Sequence, residues 1–522
     1  MRRRIWIAAL LLVAAVFSVR ILVVAQDLPG LAAAARLETL KDDLPRLRAF
    51  LARMPKGADL HMHLSGAVYA ERLIAFAAAD GLCLRKADMT FVPPPTGAAL
   101  GVPCGPDPAL VPVAEAIAGW RGQGTYDQIV NAFSMRWFLP TPAVPSGHDQ
   151  FFGTFSRFNA ATGGADWEQT LARAAEMTLD QLRQYDAENV QYAELMATLF
   201  EGDDRRRMAQ FVTRAAGDRP VTEADPAVLL AALKDNGLAD LVAARARDLT
   251  ALVARIDALR ACGGGAARPG CGVAFRYIAQ VNRNGPPAEV FAQTALSVAL
   301  ARALPSVVAG INYVGPEDFL VARRDYRAHM GWIGFLAGVD VPVALHAGEL
   351  WLGLVPPDDL DFHIRAAVEV AGARRIGHGT AIAFERDMDG LLAEMARRGV
   401  TVEVALTSSD VILGVRGRAH PIHTYLSVGV PVTLATDDAG VSRIDLTHEY
   451  FRAAVDQGMG YGRLKAFAHA GIARSFLAEA EKARETARLD DAFTTFEREI
   501  AGAMPWTAKA KAVLRRALGP AG

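Results

Sequence analysis

Eight short apolar runs, rich in Val, Ile and Ala, recur between residues 58 and 438, and most are followed by a stretch with helical spacing. They are 58–64 (ADLHMHL), 190–197 (VQYAELMA), 273–281 (VAFRYIAQV), 307–315 (VVAGINYVG), 341–349 (VPVALHAGE), 374–379 (RRIGHG), 400–406 (VTVEVAL) and 430–438 (VPVTLATDD). Strands that are apolar along their whole length, alternating with helices, belong in a parallel sheet covered on both faces. Eight is the number that closes a (β/α)8 barrel. The expected fold is therefore α/β, a TIM-type barrel with helical insertions and an N-terminal helical extension. An open doubly wound sheet has the same periodicity and stands as the alternative. A chain of 522 residues accommodates one such barrel with insertions.

Three segments lie outside a minimal barrel. Residues 1–25 combine Arg2, Arg3 and Arg4 with an apolar stretch from Ile5 to Phe17, the shape of a signal peptide. Arg20 interrupts the apolar run, so an uncleaved membrane anchor is the other reading. The expected location is periplasmic or secreted, or anchored to the inner membrane. Residues 26–55 read as an N-terminal helical segment, with Pro45 as a break or a second helix start. The barrel, 56–522, carries a Pro- and aromatic-rich insertion at about 67–186 and a charged helical one at about 200–272. Both follow strand C-terminal ends and suit a lid, a homodimer contact or simple outer packing.

The four cysteines, Cys83, Cys104, Cys262 and Cys271, show no C-x-x-C spacing. In an oxidising compartment local pairing would join Cys83 to Cys104 and Cys262 to Cys271; otherwise all four are buried thiols. Lys plus Arg number 56 against 57 Asp plus Glu, with no basic block beyond the N-terminus, which argues against a nucleic-acid partner.

The chemistry lies at the strand ends. His61 and His63 are two apart, so on a strand they point to one face. Alone the pair carries little, but 341–349 ends with His346 and Glu349, 374–379 with His378, and 430–438 with Asp437 and Asp438. A barrel gathers all strand C-termini into one ring. Burying such groups uncompensated costs several kcal/mol each, and a divalent cation would compensate them. His61, His63, His346 and Asp437 form an N3O set suited to one Zn2+ per chain, with a position left for water. Such an ion lowers the pKa of its water to about 7. Glu349 can then exchange protons, while His378 and Asp438 hold and deprotonate the water, making the site hydrolytic.

The ordered series PKGADLHMHLSGA, VAGINYVGPED, ALHAGE, RIGHGTAI, VEVALTSSD, VPVTLATDDAGV and LTHEY, with a weaker echo at NVQYAEL, resembles the adenosine deaminase family of metal-dependent hydrolases in the amidohydrolase superfamily, including its secreted growth-factor-like branch. The resemblance covers about 54–66 and 305–450. It implies a (β/α)8 barrel, a zinc ion, and His61, His63, His346 and Asp437 as ligands. It further implies that Glu349 protonates a purine ring nitrogen, that His378 and Asp438 activate the attacking water, and that adenosine or a close 6-aminopurine nucleoside yields inosine and ammonia. Gly315 would contact the purine through its backbone. The sequence departs from the family at Ser65, where an acidic residue usually meets the ribose, at Ser409-Asp410, which replaces a Ser-Asn pair, and at Ala439, which replaces a proline.

Other groups read more modestly. Trp351 and Leu352, just beyond Glu349, are the nearer apolar contacts for a base. The cluster Trp137, Phe138, Phe151, Phe152, Phe155 and Phe158 would either roof a flat base or form helix core. His420, His423 and His448 fit no ligand spacing; His420 suits a helix cap or a buttress for Asp437, and Glu449-Tyr450 suits packing behind the eighth strand. The helix around Arg205 to Arg214 reads as a solvated face or a receptor contact. Two rival functions share this barrel: a mononuclear hydrolase of another amide or ester, and an extracellular binding or signalling module with reduced catalysis.

Overall fold

The computed structural model describes residues 28–95, 103–262 and 269–511. The signal-like segment lies outside them. Eight parallel strands follow the order of the chain: β1 (Gly57–His63), β2 (Val190–Ala197), β3 (Ala274–Asn282), β4 (Val308–Val314), β5 (Ala344–Ala347), β6 (Arg375–His378), β7 (Thr401–Val404) and β8 (Val432–Leu434). β1 to β4 form one run of neighbours and β5 to β8 another. Two parallel bridges join the runs into a ring. Ile311 of β4 pairs with Val343 ahead of β5, and Met62 of β1 pairs with Asp437 beyond β8. At the second seam Asp437 N–H donates to the His61 carbonyl at 2.9 Å and His63 N–H to the Asp437 carbonyl at 3.1 Å. The sheet is a closed barrel, and the open alternative is set aside.

The strands are buried almost throughout because helices cover the outside and side chains fill the inside. Crossover helices at Pro287–Ala303, Tyr326–Ala337 and Met388–Arg398 supply much of that cover. β5 and β8 end earlier than the runs 341–349 and 430–438 suggest. The chain leaves extended geometry at Gly348 (φ +76°) and Asp437 (φ +58°), which turns the functional side chains over the mouth.

The N-terminal segment forms two helices, Leu28–Leu40 and Leu44–Arg53, with Asp43 capping the second and Pro45 in its first turn. Pro45 thus starts a helix. Both helices pack against the C-terminal part of the chain, where Phe50 meets Tyr461 and Phe496 edge-on. Among the described residues no helix is long and apolar enough to cross a membrane.

The first insertion contains a feature the sequence did not announce, an antiparallel sheet of Cys83–Arg85, Thr90–Val92 and Leu110–Pro112. Strands of three residues carry no readable periodicity. The Cys83–Cys104 disulfide staples this sheet and Cys262–Cys271 closes the loop ahead of β3, both in the local pairing. Phe151 and Phe158 are core residues, whereas Trp137 is 89% exposed and roofs nothing. The second insertion is helical: Gly202–Ala216, Pro226–Asp235 and Leu238–Arg260. Met208, Ala209 and Val212 bury one face of the first of these, so it is amphipathic, with a solvated side as its charges suggest.

Candidate metal centre and active site

β1 delivers His61 and His63, β5 delivers His346, and the turn beyond β8 delivers Asp437. One donor atom from each of the four lies within 4.8 Å of all the others. His346 Nε2 is 3.1 Å from the Nε2 of both His61 and His63, and Asp437 Oδ1 is 3.5 Å from His61 Nε2 and 3.3 Å from His63 Nε2. The ring nitrogens on the far side specify tautomers. His61 Nδ1 faces Glu403 Oε2 at 2.8 Å and His346 Nδ1 faces Asn312 Oδ1 at 2.9 Å. Each partner is an acceptor, so each Nδ1 carries the proton and each Nε2 turns a lone pair inward. Two lone pairs 3.1 Å apart require positive charge between them. The titration behaviour expresses the same demand for positive charge as a proton that a bound cation would displace from Nε2: against the burial that lowers it, hydrogen bonds with Asp437 and Glu403 raise His61 to about 10, while burial and the neighbouring His61 and His63 push His346 well below its usual value. Three imidazole nitrogens and a carboxylate fit a zinc ion with room for one more ligand.

The second group stands beside the first. Glu349, His378 and Asp437 also offer donor atoms within 4.8 Å of one another. Burial, then the charges of Asp437 and Glu317, hold Glu349 well above the usual carboxylate range. Its carboxyl is thereby biased toward the protonated form, with Ser408 Oγ at 3.4 Å and His378 Nε2 at 3.7 Å from Oε1. Burial lowers His378 to about 4, leaving a neutral imidazole whose two ring nitrogens have no partner. Asp438, buried beside Asp437 and Glu349, is raised well above its usual value, and its Oδ1 is also unpartnered. His378 (φ +66°) and Asp437 (φ +58°) both hold left-handed backbone, the strained conformation that clusters where side chains are aimed at a task.

The remaining sequence candidates are less central. Ser65 is half-buried in the short helix Leu64–Ala67, two residues past His63. Gly315, at the end of β4, holds φ +94°, and a Cβ there would sit 3.0 Å from Asn284 Nδ2. Trp351 rests edge-on against Phe384, with ring centroids 5.0 Å apart, and Leu352 is exposed. His420 Nδ1 accepts from Ile422 N–H at 3.2 Å, at the first residue of the helix Ile422–Ser427, whose N-cap is Pro421. Glu449 accepts from the backbone N–H of Leu406 and Thr407, and Tyr450 O–H donates to the Lys56 carbonyl. These two side chains hold the loop after β7 and the start of β1; packing behind β8 is a property of their helix only.

Sequence reading missed the supporting shell. Arg375 Nε lies 2.5 Å from Glu403 Oε1, and Arg375 also pairs with Glu194, so a buried carboxylate–guanidinium–carboxylate string ends on His61. Glu317 accepts from the N–H of Gly348 at 3.1 Å and Glu349 at 2.9 Å, and contacts His363 Nδ1 at 2.6 Å, which fixes the turn bearing Glu349. Two glycines make room: a Cβ on Gly66 would fall 1.6 Å from Asp438 Oδ1, and one on Gly377 would fall 2.3 Å from His61 Cε1. The readable signal for Asn312, Glu403 and Arg375 was a polar residue inside an otherwise apolar strand, which must find a buried partner.

Comparison with known proteins agrees with this geometry. The family model described as adenosine deaminase matches residues 247–492. An adenosine deaminase of Erwinia tasmaniensis is 36% identical over 124 residues, 24% of this chain and 36% of that protein. One of Escherichia coli is 33% identical over 141 residues, 27% of this chain and 39% of that protein. The chain thus spans between a third and two fifths of the length of these relatives. Among solved structures, the N6-methyl-AMP deaminase of Arabidopsis thaliana superposes with a TM-score of 0.53 at 19% identity, covering 85% of this chain and 98% of that one. The adenine deaminase of Arthrobacter aurescens gives 0.50 at 16% identity, covering 84% and 98%. These two likenesses concern the fold. Over the matched segment, and in its ordered strand-end residues, the chain is similar to the adenosine deaminase family of the amidohydrolase superfamily.

Proposed function

We propose that the protein hydrolyses the exocyclic amine of a 6-aminopurine, adenosine or a close relative, releasing ammonia and the 6-oxopurine. The observation that carries this reading is Glu349, a carboxyl whose pKa is raised by burial and by the charges of Asp437 and Glu317, beside three convergent imidazoles and Asp437. His61, His63, His346 and Asp437 would hold one zinc ion, which would supply a nucleophilic water at neutral pH. Glu349 donates its proton to a ring nitrogen of the purine, which draws electrons from C6 and opens it to attack. His378, neutral and unpartnered, and Asp438 orient the water and take its proton as the C–O bond forms. That proton passes to the amino group, the C–N bond breaks and ammonia leaves, and the proton remaining on the C6 oxygen returns to Glu349 as the 6-oxopurine forms. One water is consumed and the net charge is unchanged. The names borne by the relatives, all deaminases of adenine-containing compounds, support the same choice of bond.

The test is Glu349→Gln in zinc-loaded protein, with ammonia release as the readout. Deamination falls by roughly 10²–10⁴-fold, the usual contribution of a placed proton donor. An unchanged rate removes Glu349 from the mechanism. Metal content of about one zinc per chain by elemental analysis is expected, and two would favour a binuclear hydrolase. The two disulfides support export to an oxidising compartment. Recovery of the protein with free thiols in the cytoplasmic fraction would contradict this.

A further inference from the structure

A cavity of about 880 Å3 opens beside the metal-ligand cluster. Its inner end is lined by Leu64 and Ser65, directly after His63, and by Met196, the residue of β2 paired with His63. Its outer walls come from the two insertions, through residues 159–170 and 201–206. A minimal barrel has neither wall. The volume lies near the upper end of the ~300–1,000 Å3 typical of small-molecule sites. Glu349 and the four ligand candidates do not line it, so it adjoins the site through Leu64, Ser65 and Met196.

The charges in this space are largely spoken for. Asp80 pairs with Arg173 at 2.6 Å, Glu201 with Arg245 at 3.1 Å, and Asp203 with Arg206. Asp166 caps the helix Trp167–Ala187 by accepting from Gln169 N–H at 2.8 Å. Arg205 is the exception. It is half-buried, its Nε reaches only the Glu201 carbonyl at 3.4 Å, and no described carboxylate lies within ion-pair distance. Burial lowers its pKa from the ordinary value, opposed by the charge of Glu289 on the neighbouring helix. A half-buried guanidinium without a counter-ion favours an anion arriving from solution. At the inner end Ser65 presents a neutral hydroxyl, which opposes no such charge.

Resting on the deaminase reading above, we infer that the preferred substrate is a purine nucleoside 5′-phosphate, with its phosphate directed along the cavity to Arg205. The sugar then lies past Ser65, between the metal-ligand cluster and the insertions. The two insertions thereby select the substrate, while the barrel performs the chemistry.

The test compares AMP with adenosine in zinc-loaded protein. The wild type shows a higher kcat/KM for AMP, and Arg205→Met lowers the AMP-to-adenosine ratio of kcat/KM by about tenfold or more, as expected for loss of a charge-assisted contact. Arg205→Lys, which keeps the charge but not the fork, retains part of the ratio. A second arm needs no turnover: calorimetric titration with IMP and with inosine. IMP binds the wild type more tightly, and Arg205→Met narrows the gap. Deamination of adenosine alone, equal affinities for IMP and inosine, or a ratio indifferent to both Arg205 variants overturns the inference. Ammonia release from neither substrate counts against the deaminase reading instead, and the calorimetric arm still decides whether the cavity takes a phosphate.

Discussion

The string from Glu194 through Arg375 and Glu403 to His61 makes a quantitative statement about the metal. Glu403 is fully buried, contacts His61 Nδ1 at 2.8 Å and lies 2.5 Å from Arg375 Nε. Glu403→Gln keeps the size of the side chain and an acceptor oxygen for His61. It removes the negative charge that makes the imidazole a better donor, and it leaves Arg375 facing Glu194 alone. Losing such an outer partner costs about 10–100-fold in metal affinity, equivalent to about 1.4–2.8 kcal/mol. Titration of metal-free protein with zinc against a chromophoric chelator gives the affinity, and urea unfolding of the same preparation reports the fold. The expected result is a zinc Kd raised by at least roughly tenfold with the unfolding transition still cooperative. Glu403→Ala goes further, because a buried guanidinium stripped of a partner costs about 3–5 kcal/mol of stability. A folded Glu403→Gln protein with a Kd within about twofold of wild type refutes the argument that this shell tunes His61.

Three other perturbations follow from the geometry. Gly66→Ala places a methyl 1.6 Å from Asp438 Oδ1, so the carboxylate must move; ammonia release falls by roughly 10²-fold while zinc content stays constant, and an unchanged kcat refutes the close approach. His329 is buried with both ring nitrogens unpartnered, and burial, then Arg283, depress it to about 4. Its contribution to stability is present above the unfolded value near 6.5 and is lost as pH falls toward 4, on the order of 3 kcal/mol. Urea midpoints measured across that window flatten in His329→Phe, and an unaltered slope excludes His329 as the acid-sensitive group. Replacing Cys83 and Cys104 by serine removes about 3 kcal/mol of stability through the loop they close, and unfolding curves that coincide with wild type contradict that estimate.

The barrel and its four convergent donors were legible because both rest on periodicity and order. Continuous apolar runs announce buried parallel strands, and ionisable residues at their C-terminal ends must meet once the ring closes. The buried groups that hold His61 and the Glu349 turn in place were not legible for the opposite reason. Glu403 and Glu194 sit mid-strand, where a charge in an apolar run signals only that some buried partner exists, and nothing local says that Arg375 serves both. Gly66 and Gly377 were silent because the need for a missing Cβ depends on Asp438 and His61, residues distant in sequence. Trp137 shows the limit of reasoning from residue type alone: grouped with the phenylalanines of its insertion, it faces solvent.

The seam between β1 and the turn beyond β8 has a consequence for biogenesis. His61 and His63 are made early in translation, yet their fourth partner sits on the same residue, Asp437, that zips the last strand to the first. A nascent chain therefore owns two stray imidazoles for most of its synthesis and acquires a complete coordination pocket only when the ring shuts. Loading with metal would then report on finished folding, and a bound ion would act as a rivet across one of the two junctions through which the cylinder could otherwise unroll.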